Sequence, residues 1–210
     1  MAIFVVSDPH FQHKLVSGLR GFATPEEHDE EVIRQHNKIV KPEDTVYILG
    51  DITFGANGKG WAHNLGLVDR MNGIKHMVCG NHDRCSPTFN HGYKHQKEFM
   101  KHFESVSEFI RISHDGKPVY LSHYPYDTTD DAFRYPGEES ASNKDKYSQY
   151  RLRDEGHLII HGHTHTSTMV TKSALGTLQV NVNLESTDLK PVLLGDIART
   201  LGSRWTQKKG

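Results

Sequence analysis

Apolar positions along this chain recur with two periods, and the switches between them predict its elements. Residues 2–7, "AIFVVS", form an unbroken β-branched and aromatic run that ends in a polar loop, the pattern of a strand buried on both faces. Thr24-Pro25-Glu26-Glu27 is a capping box with proline at the first helical position. Val32, Ile33, His36, Ile39 and Val40 continue one apolar stripe, which predicts a helix over about 25–40. Thr45–Leu49 reads as a second strand, Trp61, Leu65, Val68 and Met71 mark a second helix, and Ile74–Cys79 a third strand. The first half therefore runs βαβαβ.

Beyond residue 103 the period shortens. "SVSEFIRIS" and "PVYLSH" flank His114-Asp115-Gly116-Lys117, an Asp-Gly turn that predicts a hairpin. Residues 124–147 are polar, carry Pro and Gly and show no period, so they read as a long loop, which in a compact domain is more often functional than idle. Strands are expected again at "LII" (158–160), "STMVTK" and "TLQVNVNL", and "PVLLGDIARTL" predicts a strand running into a terminal helix with Asp196 as its N-cap. With no repeat and no linker, residues 1–210 are expected to form a single domain.

Composition narrows the class. The hydrophobic share of 35% and charged share of 24% are those of a soluble globular protein, and no apolar run approaches a membrane span. The amino terminus shows no basic leader, so a cytoplasmic setting is expected. Two cysteines, Cys79 and Cys85, supply neither a disulfide framework nor a zinc knuckle. Lys plus Arg (25) balance Asp plus Glu (26), which argues against a stable nucleic-acid complex. The departure is sixteen histidines, the residue most used for metal ligation and for proton transfer near neutral pH.

Several of those histidines stand where strands end. "SDPH" follows the first strand, "GD" the second, "GNHD" the third, "SH" the hairpin and "GHTH" the strand at 158–160. In α/β sheets such carboxyl ends gather into one site although they lie far apart in sequence. Asp8 and His10, two apart in extended backbone, would face the same side, as would His163 and His165.

The ordered set D-x-H, G-D, G-N-H-D, a lone H after a strand and G-H-x-H resembles the calcineurin-like metallophosphoesterase superfamily. The opening "SDPHFQH" and "DTVYILGD" look most like its small, capless bacterial and phage branch, which includes cyclic nucleotide phosphodiesterases. The resemblance implies an α/β fold of two mixed β-sheets packed as a sandwich and flanked by helices. It implies two divalent metal ions, Mn²⁺ first, with Fe, Zn²⁺ or Ni²⁺ compatible with the same ligands. By motif, Asp8, His10 and His165 would bind one ion, Asn81, His123 and His163 the other, and Asp51 both. His82 would protonate the leaving group and Asp83 would orient it, while a metal-bridging hydroxide attacks phosphorus.

The expected partner is a small phosphoester or nucleotide, with 2′,3′-cyclic nucleotides the first choice. A phosphomonoesterase, a pyrophosphohydrolase, a small nuclease or a non-enzymatic metal-binding scaffold are the alternatives, and nothing in the pattern specifies an oligomeric state. His13, three past His10, Arg84 beside the acid, and Tyr124 after His123 are further substrate-binding candidates, with Tyr126 and Arg134 as possible stacking partners for a base. The other histidines, His28 and His36 among them, read as surface or helix-face residues, and His161 as a strand end. "GANGKG" at 55–60 fails the spacing of a phosphate-binding loop and reads as a turn.

Overall fold

A computed structural model describes residues 1–52, 60–127 and 147–202. Arg134, most of "GANGKG" and the bulk of the polar stretch 124–147 lie outside the described residues. Two five-stranded sheets carry the chain. In the first, β1 (Ile3–Val6), β2 (Thr45–Ile48), β3 (Ile74–Val78) and β4 (Ser105–Ser107) run parallel, and β10 (Val192–Leu193) pairs antiparallel with β1. The second holds β5 (Phe109–His114), β6 (Lys117–Ser122), β7 (Leu158–His161), β9 (Leu178–Asn181) and β8 (Val170–Lys172) in that order. Its centre, β6-β7-β9, is parallel, so only its flanks are the antiparallel hairpins that turn chemistry alone suggests.

Strand alternation divides the core in two. Val5, Leu49 and Val78 of the first sheet face Val119, Leu121, Ile160 and Val180 of the second, and fill the sandwich interior. Phe4, Val46, Ile48 and Met77 point the other way, onto Val32 and Ile33 of helix α2 (Pro25–Ile39) and Leu65 and Val68 of helix α3 (Gly60–Val68). Both layers are closed to bulk solvent, each residue named being at least nine-tenths buried. Thr24 caps α2 as its sequence predicts, accepting the Glu27 amide at 3.2 Å. The Asp115-Gly116 turn has positive φ at both residues, the type I′ geometry that matches strand twist.

Three expectations need correction. The run "SVSEFIRIS" is two strands, not one: it breaks at Glu108, with β4 on the edge of the first sheet and β5 on the edge of the second. A short helix α1 (Lys14–Leu19), where a loop was expected, starts from His13, whose Nδ1 accepts the Val16 amide at 3.4 Å. Helix α5 (Leu194–Leu201) is capped at Leu193 without a side-chain bond; Asp196 sits inside its first turn and pairs with Arg199. Leu194 precedes Asp196 on the same apolar face as Ile197 and Leu201, and burying that face starts the helix earlier than polar capping logic suggests. A four-residue helix α4 (Gln96–Phe99) completes the set, and no helix among the described residues is long and apolar enough to cross a membrane.

Candidate metal centre

The carboxyl ends of β1, β2, β3, β6 and β7 open at one edge of the sandwich, and the loops there extend the sheets beyond the strands. Asp8 N donates to Gly50 O at 3.1 Å, His10 N to Asp51 O at 3.0 Å, and Gly162 N to His123 O at 3.0 Å. Ser7 N bonds Val182 O at 3.0 Å and so joins the two sheets beside the site. Turning side chains inward from such closely laddered loops requires unusual backbone. In place of the extended backbone expected for the D-x-H and H-x-H pairs, Asp8, His10, His163 and His165, together with Asp51, all have positive φ, between 48° and 68°, at a cost on the order of 1–3 kcal/mol each. Gly50 (φ 86°) lets two loops touch: a Cβ there would lie 2.5 Å from the Gly80 nitrogen. At Gly162 a Cβ would collide with Ser7 Oγ and the Asp8 carboxylate, which explains glycine before His163.

Two acceptor clusters result, Asp8-His10-His165 and Asp51-His123-His163. In the first, His10 Nε2 lies 3.1 Å from His165 Nε2, and the two are 3.7 and 3.6 Å from Asp8 Oδ1. In the second, His123 Nε2 is 3.1 Å from Asn81 Oδ1 and 3.4 Å from Asp51 Oδ2. The same Asp51 Oδ2 is 3.6 Å from His10 Nε2 and 4.0 Å from His82 Nε2. One carboxylate oxygen thus faces both clusters and the histidine beside them. Asp51 Oδ1 accepts the His82 amide at 2.8 Å, which fixes that histidine relative to the clusters.

The outer contacts orient these rings. His123 Nδ1–H donates to Leu49 O at 2.8 Å and His165 Nδ1–H to Glu185 Oε1 at 2.9 Å, so each turns its Nε2 inward. The arrangement fits a divalent cation. Asp8 Oδ1 is buried without a hydrogen-bond partner, and His10 Nε2 and His165 Nε2 meet at 3.1 Å, a contact that two bare lone pairs would oppose and a shared cation or proton relieves. In the metal-free protein, protons occupy part of that role. Burial works against charging His123, yet Asp51 beside it holds the ring up to about 9; His165 is likewise raised against burial by Glu185 and Asp8. Burial works to neutralise Asp8 and Asp51, but the surrounding histidines keep both carboxyls below the usual carboxylate range. His10 falls to about 4 and His163 well below its ordinary value because burial dominates there. A cation replaces such protons, as ligation requires unprotonated rings.

The scan against protein families adds the decisive observation: the description "Calcineurin-like phosphoesterase superfamily domain" matches residues 1–183. The chain belongs to the calcineurin-like phosphoesterase superfamily. Among curated proteins, this phosphoesterase-family chain is 34% identical to the Gene 66 protein of Mycobacterium phage L5 over 188 residues, covering 86% of this chain and 84% of that protein. It is 31% identical to the Gene 66 protein of Mycobacterium phage D29, covering 90% and 92%. Among solved structures, a protein of unknown function, AQ665 from Aquifex aeolicus, superposes with a TM-score of 0.61 at 27% identity, covering 95% of this chain and 98% of that one. The family is metal-dependent and its members hydrolyse phosphoesters, which the two clusters match.

Other residues fall in mixed positions. Asp83 stands beside His82 in sequence, but its oxygens take the amides of Gly80 (2.8 Å), Asp51 (2.8 Å) and Ile52 (2.9 Å). Its carboxylate locks the G-D loop to the G-N-H-D loop. Burial and the Asp51 charge push it up to about 7, against the pull of those amides. His13 stands with its ring 5.3 Å from that of His10 and 6.3 Å from that of His82, at the rim of the site. Tyr124 is buried edge-on against His123 and His163, both 4.9 Å away between ring centres, with Tyr147 and Tyr150 behind it. Arg84 lies over the Phe89 ring at 5.4 Å. Tyr126 turns away, donating its hydroxyl to His157 O at 3.0 Å. His161 ends β7, buried, outside both clusters.

Sequence reasoning missed Glu185 and Arg20. A partial signal for the first was present: Glu185 directly follows the predicted strand "TLQVNVNL", as the cluster residues follow theirs. His28, assigned to a helix face, does lie on α2 but is fully buried, with Nε2 2.9 Å from Arg20 Nη1.

Proposed function

We propose that this chain is a dinuclear metal-dependent phosphodiesterase acting on small or cyclic diesters, 2′,3′-cyclic nucleotides first, with Mn²⁺ the favoured ion. The observation that carries the reading is Asp51 Oδ2, 3.4 Å from His123 Nε2 and 3.6 Å from His10 Nε2, one oxygen common to both ligand clusters. Asp8, His10 and His165 would hold one ion, Asn81, His123 and His163 the other. Bound there, divalent ions neutralise phosphate oxygens and acidify coordinated water.

The chain's own groups do the rest. In the G-N-H-D loop the His82 side chain meets solvent, at 34% exposed, while Asn81 and Asp83 are buried. Its Nε2 faces the Asp51 oxygen and stands where a leaving oxygen would take a proton. Its backbone is held by Asp51 Oδ1, so the proton donor and the ligand pair move as one unit. Tyr124 packs against the second cluster, and the half-buried Tyr147 and Tyr150 beside it supply aromatic surface for a nucleobase or aryl group of a diester.

A metal-by-substrate matrix on the purified protein tests this. Metal-stripped protein should be inert, and Mn²⁺ should restore hydrolysis of bis(p-nitrophenyl) phosphate and of 2′,3′-cyclic nucleotides. Strong activity on p-nitrophenyl phosphate with none on bis(p-nitrophenyl) phosphate would sink the diester assignment.

A further inference from the structure

The two halves of the centre are supported differently. The second-cluster ligand His123 leans on a backbone carbonyl, Leu49 O, which no side-chain change can remove. The first-cluster ligand His165 leans on the Glu185 carboxylate, and that carboxylate is itself gripped by Arg20, whose Nε and Nη2 lie 2.9 and 2.8 Å from Oε1. The Arg20 side chain is 4% exposed and that of Glu185 23%, so the guanidinium side of this ion pair is shielded from water.

Arg20 does more than neutralise Glu185. Its Nη2 donates to Asp8 O at 2.8 Å and its Nη1 to Pro9 O at 3.3 Å, across the stretch where Asp8 and His10 adopt left-handed backbone. Its far side is fixed in turn: Nη1 donates to His28 Nε2 at 2.9 Å, and His28 Nδ1–H donates to Asp29 Oδ1 at 2.8 Å. Asp29 Oδ2 then takes the Gln12 amide and side chain at 3.0 and 2.8 Å, returning to the same loop. One guanidinium thus joins the strained D-x-H loop to the G-H-x-H histidine 145 positions away in sequence, counting from Arg20 to His165.

We propose that Glu185 and Arg20 are positioning residues dedicated to the Asp8-His10-His165 half of the centre, and that this half alone depends on them. Glu185 fixes the tautomer and ring angle of His165, and Arg20 holds Glu185 and the Asp8 backbone in one frame. The inference rests on the two-ion reading above. Outer-shell partners of this kind typically contribute about 10–100-fold to metal affinity.

Calorimetric titration of MnCl₂ into metal-stripped wild type, Glu185→Ala, Glu185→Gln and Arg20→Ala tests it. Wild type should take up two ions per chain. Glu185→Ala should weaken one of them by about 10–100-fold and leave the other unchanged. Glu185→Gln, which retains an oxygen for His165 Nδ1–H, should recover part of the loss, and Arg20→Ala should weaken the same ion. Combining Glu185→Ala with Asn81→Ala, a ligand of the opposite half, should weaken both ions. Wild-type affinity for both ions in Glu185→Ala, or equal loss at both, overturns the inference. Should Glu185→Ala fail to fold by circular dichroism, Glu185→Gln decides alone: a loss confined to one ion supports the dedication, and unchanged or equal affinities overturn it. A wild type that binds fewer than two ions overturns the proposed function, and this inference with it.

Discussion

His82 and Asp83 are adjacent in sequence and do unlike things. His82 keeps its ring at the open side of the centre, while Asp83 is buried and spends its carboxylate on the amides of Gly80, Asp51 and Ile52. His82→Ala should therefore lower kcat for a diester by about 10² to 10⁴ while manganese affinity stays near wild type, as steady-state kinetics and titration together would show. The residues that gather in the two clusters were legible because each follows a predicted strand end, two of those ends carrying a pair at short spacing. Glu185 and Arg20 were not: their contacts reach back across the chain, 165 positions for the pair itself, and neither residue type is unusual where it stands. The contacts of Asp83 to backbone amides were not legible either, since every residue but proline carries one.

Elements were read best where local chemistry decides them. The Thr24 capping box and the Asp115-Gly116 turn formed as their sequences predict, because cap and turn preferences act within four residues. Local rules failed where burial decides. Asp196 looks like a cap, yet α5 begins earlier and leaves Asp196 in an exposed pair with Arg199, their side chains 49% and 74% exposed. Asp196→Ala should cost less than about 0.5 kcal/mol in chemical denaturation, well under the loss of a true N-cap, and leave turnover intact. Helix α2 carries a pH signature of its own. His36 is buried, its Nε2–H donates to Asn72 O at 2.9 Å, and burial lowers it to about 4. Its ring stays neutral in the folded chain while the unfolded chain takes a proton near 6.5. The contribution is therefore present above pH 6.5 and lost as pH falls toward 4, by on the order of 3 kcal/mol at most. His36→Gln should flatten the stability profile across that window, measured as the difference from wild type in urea unfolding.

The whole molecule is two sheets whose parallel strands end on one side, and that topology assembles the centre. Pattern alone gave the βαβαβ beginning and the existence of later strands. It could not say that "SVSEFIRIS" divides between sheets, because both halves carry the same apolar alternation and only packing across the sandwich separates them. Nor could it show that β9 joins β6 and β7 in parallel and so delivers Glu185 to the site. The centre's unity depends on Asp51, at the end of a central strand of the first sheet and facing ligands from both sheets. The most direct test is manganese titration of metal-stripped Asp51→Ala beside wild type. Two ions per wild-type chain, with both weakened together by at least about tenfold in the variant, is the expected result. Retention of wild-type affinity for either ion in Asp51→Ala would contradict a shared carboxylate.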